Sequence, residues 1–294
     1  MTNTNNNLPR NWSMLSYGNE LRVPYAEDPM GSTWPTYFLK RNEKGNFVDD
    51  NGNYLAFPMR EPDTSIDFDG KQLTAVKDAQ RKLNSNQINI AKYWGTGPAT
   101  KQWTPIIDIL IDTYKITAFR AARILAAVHA ALNDAFAVTW YFKYLWKIPR
   151  PNQLDQSFIS LLPMPKHPSY PAGHGVVAGC AEVVLSYFFP PEAYRLHELA
   201  EECAISRLYA GVHYPIDNEQ GLILGRFIGE MVVEKLKKQK DDNSCYVDYP
   251  NSEYLGAKLP PPPYKQVISY AEGHYCPFAE DLYSSDKLAK EIES

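Results

Sequence analysis

The chain has 294 residues, a formal net charge of −4, 22% charged and 44% hydrophobic residues. This length can bury a substantial core, the composition excludes wholesale disorder, and the acidic balance argues against a protein that grips a nucleic-acid backbone. The start, Met1–Arg10, has neither the basic region nor the apolar region of a secretory signal. No run of about 18 apolar residues is visible: 124–137 is broken by His129, Asn133 and Asp134, and 175–189 carries Glu182. A cytoplasmic protein without a membrane span is therefore expected. Cys180, Cys203, Cys245 and Cys276 stand far apart, with no zinc-type spacing, and are read as reduced thiols.

Residues 1–70 form an irregular N-terminal arm, interrupted by Pro9, Pro24, Pro29, Pro35, Pro58 and Pro62. One hairpin is expected over 46–57, because Asn51-Gly52 supplies the positive φ of a tight turn. A helical pattern begins near Leu73 and runs without Gly or Pro to Ile90, on a thin stripe of Leu73, Val76 and Leu83. Gly95-Thr96-Gly97-Pro98 breaks it. Thr104-Pro105 opens a helix reaching about Lys115. The strongest helical signal is 119–146, where Ala121, Leu125, Val128, Leu132, Ala135 and Phe136 recur at steps of three and four. Prolines 149 to 171 then hold the chain out of helix. Further helices are expected over 175–189, 192–208 and 217–240, the last with a basic final turn. The reading is one all-α helical bundle at 71–240, wrapped by the arm 1–70 and a Pro/Tyr-rich arm 241–294. In that last arm Pro260–Pro263 is taken as a stiff spacer.

Three segments concentrate cations and imidazoles beside helix breaks: Lys143 to Pro151, His167 to His174, and Ser206 to Asp217. Lys143, Arg150 and Arg207 offer fixed positive charge, and the planar guanidinium fork suits tetrahedral oxyanions. Gly173 permits close approach of backbone to a ligand and stands before an apolar helix whose first N–H groups favour anions. Asp217 follows His213 by four residues and is placed to hold one ring nitrogen. The sum describes an oxyanion cage with a nucleophilic histidine and a second histidine for proton transfer.

These segments resemble the type 2 phosphatidic acid phosphatase and vanadium-dependent haloperoxidase superfamily. Its signature of K-x6-RP, P-S-x-x-S-G-H and S-R-x5-H-x3-D is met by Lys143 with Arg150-Pro151, by Pro168-Ser169 with Ala172-Gly173-His174, and by Ser206-Arg207 with His213 and Asp217. Trp94 to Pro98 and Asn133-Asp134-Ala135 add a likeness to soluble bacterial haloperoxidase relatives. The resemblance implies that His213 is either the phosphoryl acceptor or the vanadium ligand, that Asp217 orients it, and that His174 is the general acid–base. Lys143, Arg150, Arg207 and the Gly173 N–H would hold the oxyanion. His167 would lie on the halide or substrate side, as in bromide-oxidising members. The leading implication is a vanadate-dependent haloperoxidase taking peroxide and a halide. Its alternatives are a cofactor-free phosphatase working on a phosphoester through phospho-His213, and a degenerate oxyanion-binding protein. Relatives of this kind commonly pair, so a homodimer is expected, with the 71–90 helix and the tyrosine-rich arms as contacts.

One position departs from the signature: Ala172 replaces the serine, removing a hydroxyl that would donate to a charged ligand, worth roughly 1.5–3 kcal/mol. Ser169 and Tyr170 are the candidates to compensate. Elsewhere the plainer readings hold: His129 as a core or supporting histidine, His197 and His274 as surface, and Trp94, Trp103 and Trp140 as core.

Overall fold

A computed structural model describes residues 11–267. Cys276, His274 and the rest of the tail lie outside the described residues. The architecture is all-α apart from one small β element. In chain order the helices are α1 (Leu73–Arg81), α2 (Ser85–Gly95), α3 (Trp103–Thr113), α4 (Ala118–Trp146), the single turn α5 (Pro151–Leu154), α6 (Gly173–Phe188), α7 (Ala193–Tyr209) and α8 (Pro215–Leu236). The expected helix at 71–90 is in fact two. Asn84 caps α2 and exchanges hydrogen bonds with Gln87, a capping box that starts a new helix. The Asn-x-x-Gln spacing carried that signal.

Helix α6 packs against α4, α7 and above all α8. The α6–α8 approach is backbone to backbone. A methyl group on Gly225 would strike the Val176 carbonyl, and one on Gly179 would lie 2.7 Å from the Leu222 carbonyl oxygen. Glycines at steps of four, Gly175 and Gly179 on α6 and Gly221, Gly225 and Gly229 on α8, therefore let the two helices that begin at the cavity sit in direct contact. Val176 and Val184 on α6 and Leu224 and Ile228 on α8 are fully buried in the main core cluster.

Both arms enter the core. Leu39 and Phe47 from the N-terminal side and Leu259 from the C-terminal side belong to the main buried cluster. The N-terminal arm is fastened by Asp134 of α4, which is fully buried and accepts backbone N–H bonds from Tyr37, Phe38 and Leu39 at 2.8, 2.7 and 2.8 Å. The turn at Asn51-Gly52 forms, with Gly52 at φ 86°, but the pairing beyond it shrinks to one bridge between Val48 and Tyr54. The paired strands are β1 (Lys40–Arg41) and β2 (Phe47–Val48), joined at a turn through Gly45, which the sequence reading missed. Pro260 and Pro261 are buried and Arg195 donates to the Pro261 carbonyl, so this stretch packs on α7.

One expectation needs correcting. The span 118–154 is long and apolar enough, by length and composition, to cross a membrane, with a window of mean hydropathy 1.3. His129, Asn133 and Asp134 do not lower the average enough to exclude it. Half of that window is buried inside the protein.

Candidate active site

A cavity of about 390 Å³ opens where the starts of α6 and α8 meet the ends of α2 and α7. His167, Gly173, His174, Arg207 and His213 line it, with Phe136 and Trp140 of α4 as an aromatic wall. Lys143 and Arg150 lie behind this lining, fully buried.

Backbone bonds tie the three motif segments together. The Ser169 N–H donates to the Ile148 carbonyl at 2.9 Å, and the Ala172 N–H to the Asp217 carbonyl at 2.9 Å. The Lys143 ammonium crosses between segments and donates to the carbonyls of Pro168 and Ser169 at 2.7 and 2.8 Å. Burial and the nearby Arg150 charge push its pKa well down, while Asp217 pulls it up. Arg150 is the hub. Its Nε donates to the His167 carbonyl (3.0 Å), one terminal nitrogen to the Val212 carbonyl (2.6 Å) and to His213 Nε2 (2.9 Å), and the other to His167 Nδ1 (3.0 Å).

The donors fix each ring's tautomer. Asp217 Oδ2 accepts the His213 Nδ1–H at 2.8 Å, so Nε2 carries the lone pair that Arg150 meets. Burial, then Arg150 and Lys143, hold the His213 pKa well below the imidazole range, so the ring is neutral at physiological pH. Asp217 is fully buried. Burial raises its carboxyl to about 6 against the lowering effect of the Ser169 hydroxyl (2.5 Å), Lys143 and the Tyr214 N–H (3.1 Å). It is therefore mostly ionised at neutral pH.

His174 is held differently. Its Nε2 lies 3.1 Å from the Trp94 carbonyl and 3.4 Å from an Arg207 nitrogen. The closer carbonyl requires the proton on Nε2, which leaves Nδ1 as the basic atom. Burial, then Arg207, keep this ring neutral as well. Arg207 is buried with no hydrogen-bond partner at Nε, its guanidinium lowered to about 10 by burial. A desolvated, under-partnered guanidinium has donors left for an anion.

Several features escaped the sequence reading. Gly95, read as a helix breaker, makes room for Arg207: a methyl there would lie 2.7 Å from a guanidinium nitrogen. Trp140, read as core, faces the cavity, its ring 4.8 Å from that of His167. Glu27 of the N-terminal arm also lines the cavity, and nothing in its local pattern marked it. Neither proposed stand-in for the missing serine is free. The Ser169 hydroxyl is committed to Asp217, and Tyr170 donates to the Arg60 carbonyl. His129 is half-buried outside the cavity lining, and His197 is on the surface beside Glu182. Trp94 and Trp103 are core, as read.

An all-helical bundle with a histidine–aspartate pair inside a cation cage defines a class of oxyanion-handling protein. The chain belongs to the PAP2 superfamily: the superfamily pattern matches residues 121–241, and the undecaprenyl-diphosphatase of Sulfolobus acidocaldarius is 32% identical over 153 residues, covering 52% of this chain and 70% of that protein. A vanadium-dependent bromoperoxidase of Corallina pilulifera is 33% identical over 28% of this chain and 19% of its own length. Among solved structures, a bacterial vanadium-dependent iodoperoxidase superposes with a TM-score of 0.61 at 26% identity, over 75% of this chain and 59% of that one. A bacterial vanadium-dependent chloroperoxidase shares the fold at TM-score 0.55 and 14% identity, over 72% and 55%. The chain thus spans a fifth of the bromoperoxidase and just over half of the iodoperoxidase.

Proposed function

We propose that this chain is a phosphoester hydrolase working through His213. The observation that carries the reading is the fixed neutral tautomer of His213, with Nδ1–H on Asp217 and the Nε2 lone pair beside Arg150. As the phosphoryl oxygens take up the Arg150 guanidinium, Nε2 is released from it and attacks phosphorus while the ester P–O bond breaks. The leaving oxygen takes the proton that His174 Nδ1 has gained from solvent on substrate binding. Water, deprotonated by His174, then cleaves the phospho-histidine and frees both phosphate and His213. Arg150, Arg207, Lys143 and the Gly173 N–H spread the developing charge. Substrate binding brings negative charge beside His174 and raises its proton affinity, as an acid role needs.

A second reading, vanadate-dependent halide oxidation, is favoured by His167, which rests on Trp140 and accepts from Arg150 at the cavity wall. The residues fit a tetrahedral vanadate: His213 Nε2 would ligate it, and the same cations and N–H would hold its oxygens. Bound vanadate supplies a Lewis acid toward peroxide, with a halide as reductant. A resident cofactor must stay bound between turnovers, and here the donor set is one hydroxyl short at Ala172. Transient phosphoester binding tolerates that loss better, which sets the order of the two readings. The half-buried window of α4 supports a core helix rather than a membrane span, with 71–240 as the catalytic body.

One comparison tests the choice. Purified protein free of vanadium is assayed on p-nitrophenyl phosphate, and vanadate-loaded protein on bromide and iodide with peroxide. Phosphate release with an acid-labile, base-stable label that disappears in His213→Ala supports hydrolysis. Halide oxidation alone would replace it with the second reading. Phosphate binding without either turnover would leave a degenerate oxyanion-binding protein.

A further inference from the structure

The cavity has two electrically different ends. Its floor carries Arg207 and the imidazoles over buried Arg150 and Lys143; its rim carries Glu27. The arm fixes the backbone of Glu27 there. Its N–H donates to the Lys166 carbonyl at 2.8 Å, and its carbonyl accepts from the Tyr144 hydroxyl at 2.6 Å and the Trp140 indole at 3.4 Å. Among the described residues no lysine, arginine or histidine lies within ion-pairing distance of the Glu27 carboxylate. The residue itself is exposed, and partial burial and neighbouring Asp28 raise its carboxyl pKa while the Arg150 charge lowers it. Phe136 and Trp140 line the same cavity. A carboxylate on an aromatic-lined cavity recognises an organic cation, by charge and by whatever ring face the cation reaches.

We propose that the cavity selects a zwitterionic phosphoester: the phosphoryl group lies in the cation cage and an ammonium at the other end of the ligand meets Glu27 beside Trp140. This rests on the oxyanion reading of the cage and names the substrate class within it. The ligand then supplies the charge that Glu27 lacks, while a leaving group with a second negative charge meets repulsion at the rim.

The test uses two phosphonates, which the proposed reaction cannot cleave. Isothermal titration compares 2-aminoethylphosphonate with n-propylphosphonate, which replaces the ammonium by a methyl group, and with inorganic phosphate. The intact protein is expected to bind the amino compound about fivefold more tightly than the propyl compound, as for a partly exposed ion pair assisted by an aromatic face. Glu27→Gln should erase that ratio while holding phosphate affinity within about twofold, and Glu27→Lys should invert it. Equal affinities of the intact protein for the two phosphonates, with phosphate still bound, overturn the role of Glu27 and leave the oxyanion reading standing. No binding of any of the three overturns both.

Discussion

The floor of the cavity and its rim are built by opposite means. The floor is helix ends locked by buried bonds: Asp217 Oδ2 takes up His213, Ser169 and Tyr214 at once, and Arg150 binds both His167 and His213. The rim is loop and arm: Gly97 and Pro98 after α2, Pro163 and Pro165, and Glu27. These bonds on the floor hold the His213 and His167 rings to one tautomer each, while Arg207 keeps its Nε without a protein partner. The rim carries charge without a protein partner. The proposed reading assigns chemistry to the floor and choice of ligand to the rim, so substitutions in the two regions should fail differently.

The largest effect is expected on the floor. His213→Ala should lower phosphoester turnover by about a thousandfold or more, because the nucleophile is gone and cannot be replaced by its neighbours. It should also abolish tight vanadate binding. If His213→Ala turns over substrate as the intact protein does, the cage has been assigned wrongly. The Glu27 variants, by contrast, should move ligand ratios and leave turnover of an aryl phosphate whose aryl group bears no charge nearly unchanged.

Next comes a pair of glycines, Gly225 on the seam below the floor and Gly173 at the cavity. Gly225→Ala pushes a methyl into the Val176 carbonyl, so the helices must part. A loss of about 2–3 kcal/mol in urea unfolding is expected for overpacking of this kind. A methyl on Gly173 meets nothing nearer than Phe136 and Trp140 at 3.9 Å. Gly173→Ala should therefore keep stability within about 0.5 kcal/mol and weaken phosphate binding by crowding the cavity. Equal losses of stability in both variants would contradict the separation of seam and cavity.

The contrast also explains what the sequence disclosed. Floor residues act through fixed spacing along a few helix ends, so Lys143 with Arg150, Ala172 to His174, and Arg207 with His213 and Asp217 could be read as blocks. Long helices were legible because α4 repeats its apolar positions. Glycine steps of four on α6 and α8 were equally visible but were not read as a contact. Glu27 was not legible, because its position depends on contacts far along the chain, among them the Tyr144 hydroxyl 117 residues away. Trp140 failed for a related reason: a half-apolar helix face looks the same whether it meets core or cavity.

A smaller effect should appear in the pH dependence of stability. The pKa values of His167, His174 and His213 are all lowered by burial and nearby cations. The unfolded chain therefore takes up these protons first, and unfolding free energy should fall as pH drops below about 6.5. Asp217 acts in the other sense. Raised from 3.8 to about 6, it binds its proton in the folded state before the unfolded chain does, so it offsets part of the loss between about pH 6 and 4. Urea midpoints measured from pH 7.5 to 4.5 check this. Asp217→Asn should steepen the decline over the lower window, and an unchanged or shallower decline would contradict the assignment.

The smallest expected effect is at Ala172, where floor and helix start coincide. Ala172 is the N-cap of α6, fully buried, and makes no side-chain capping bond. A serine hydroxyl there has two tasks that do not compete: its oxygen accepts from an N–H in the first turn, and its proton points to a bound oxyanion. Capping is worth about 1 kcal/mol of stability. A regained bond to a charged ligand, at about 1.5 kcal/mol, is roughly tenfold in affinity. Ala172→Ser should therefore raise the urea midpoint and tighten phosphate and vanadate binding together, since Ser169 is occupied with Asp217 and leaves the place open. Each measurement has its own failure. A raised midpoint with unchanged affinity means that the hydroxyl serves only the helix. Tighter binding at an unchanged midpoint means that it serves only the ligand. A fall in both means that the buried site has no room for one more oxygen, and that the alanine is fitted to its neighbours rather than missing a group.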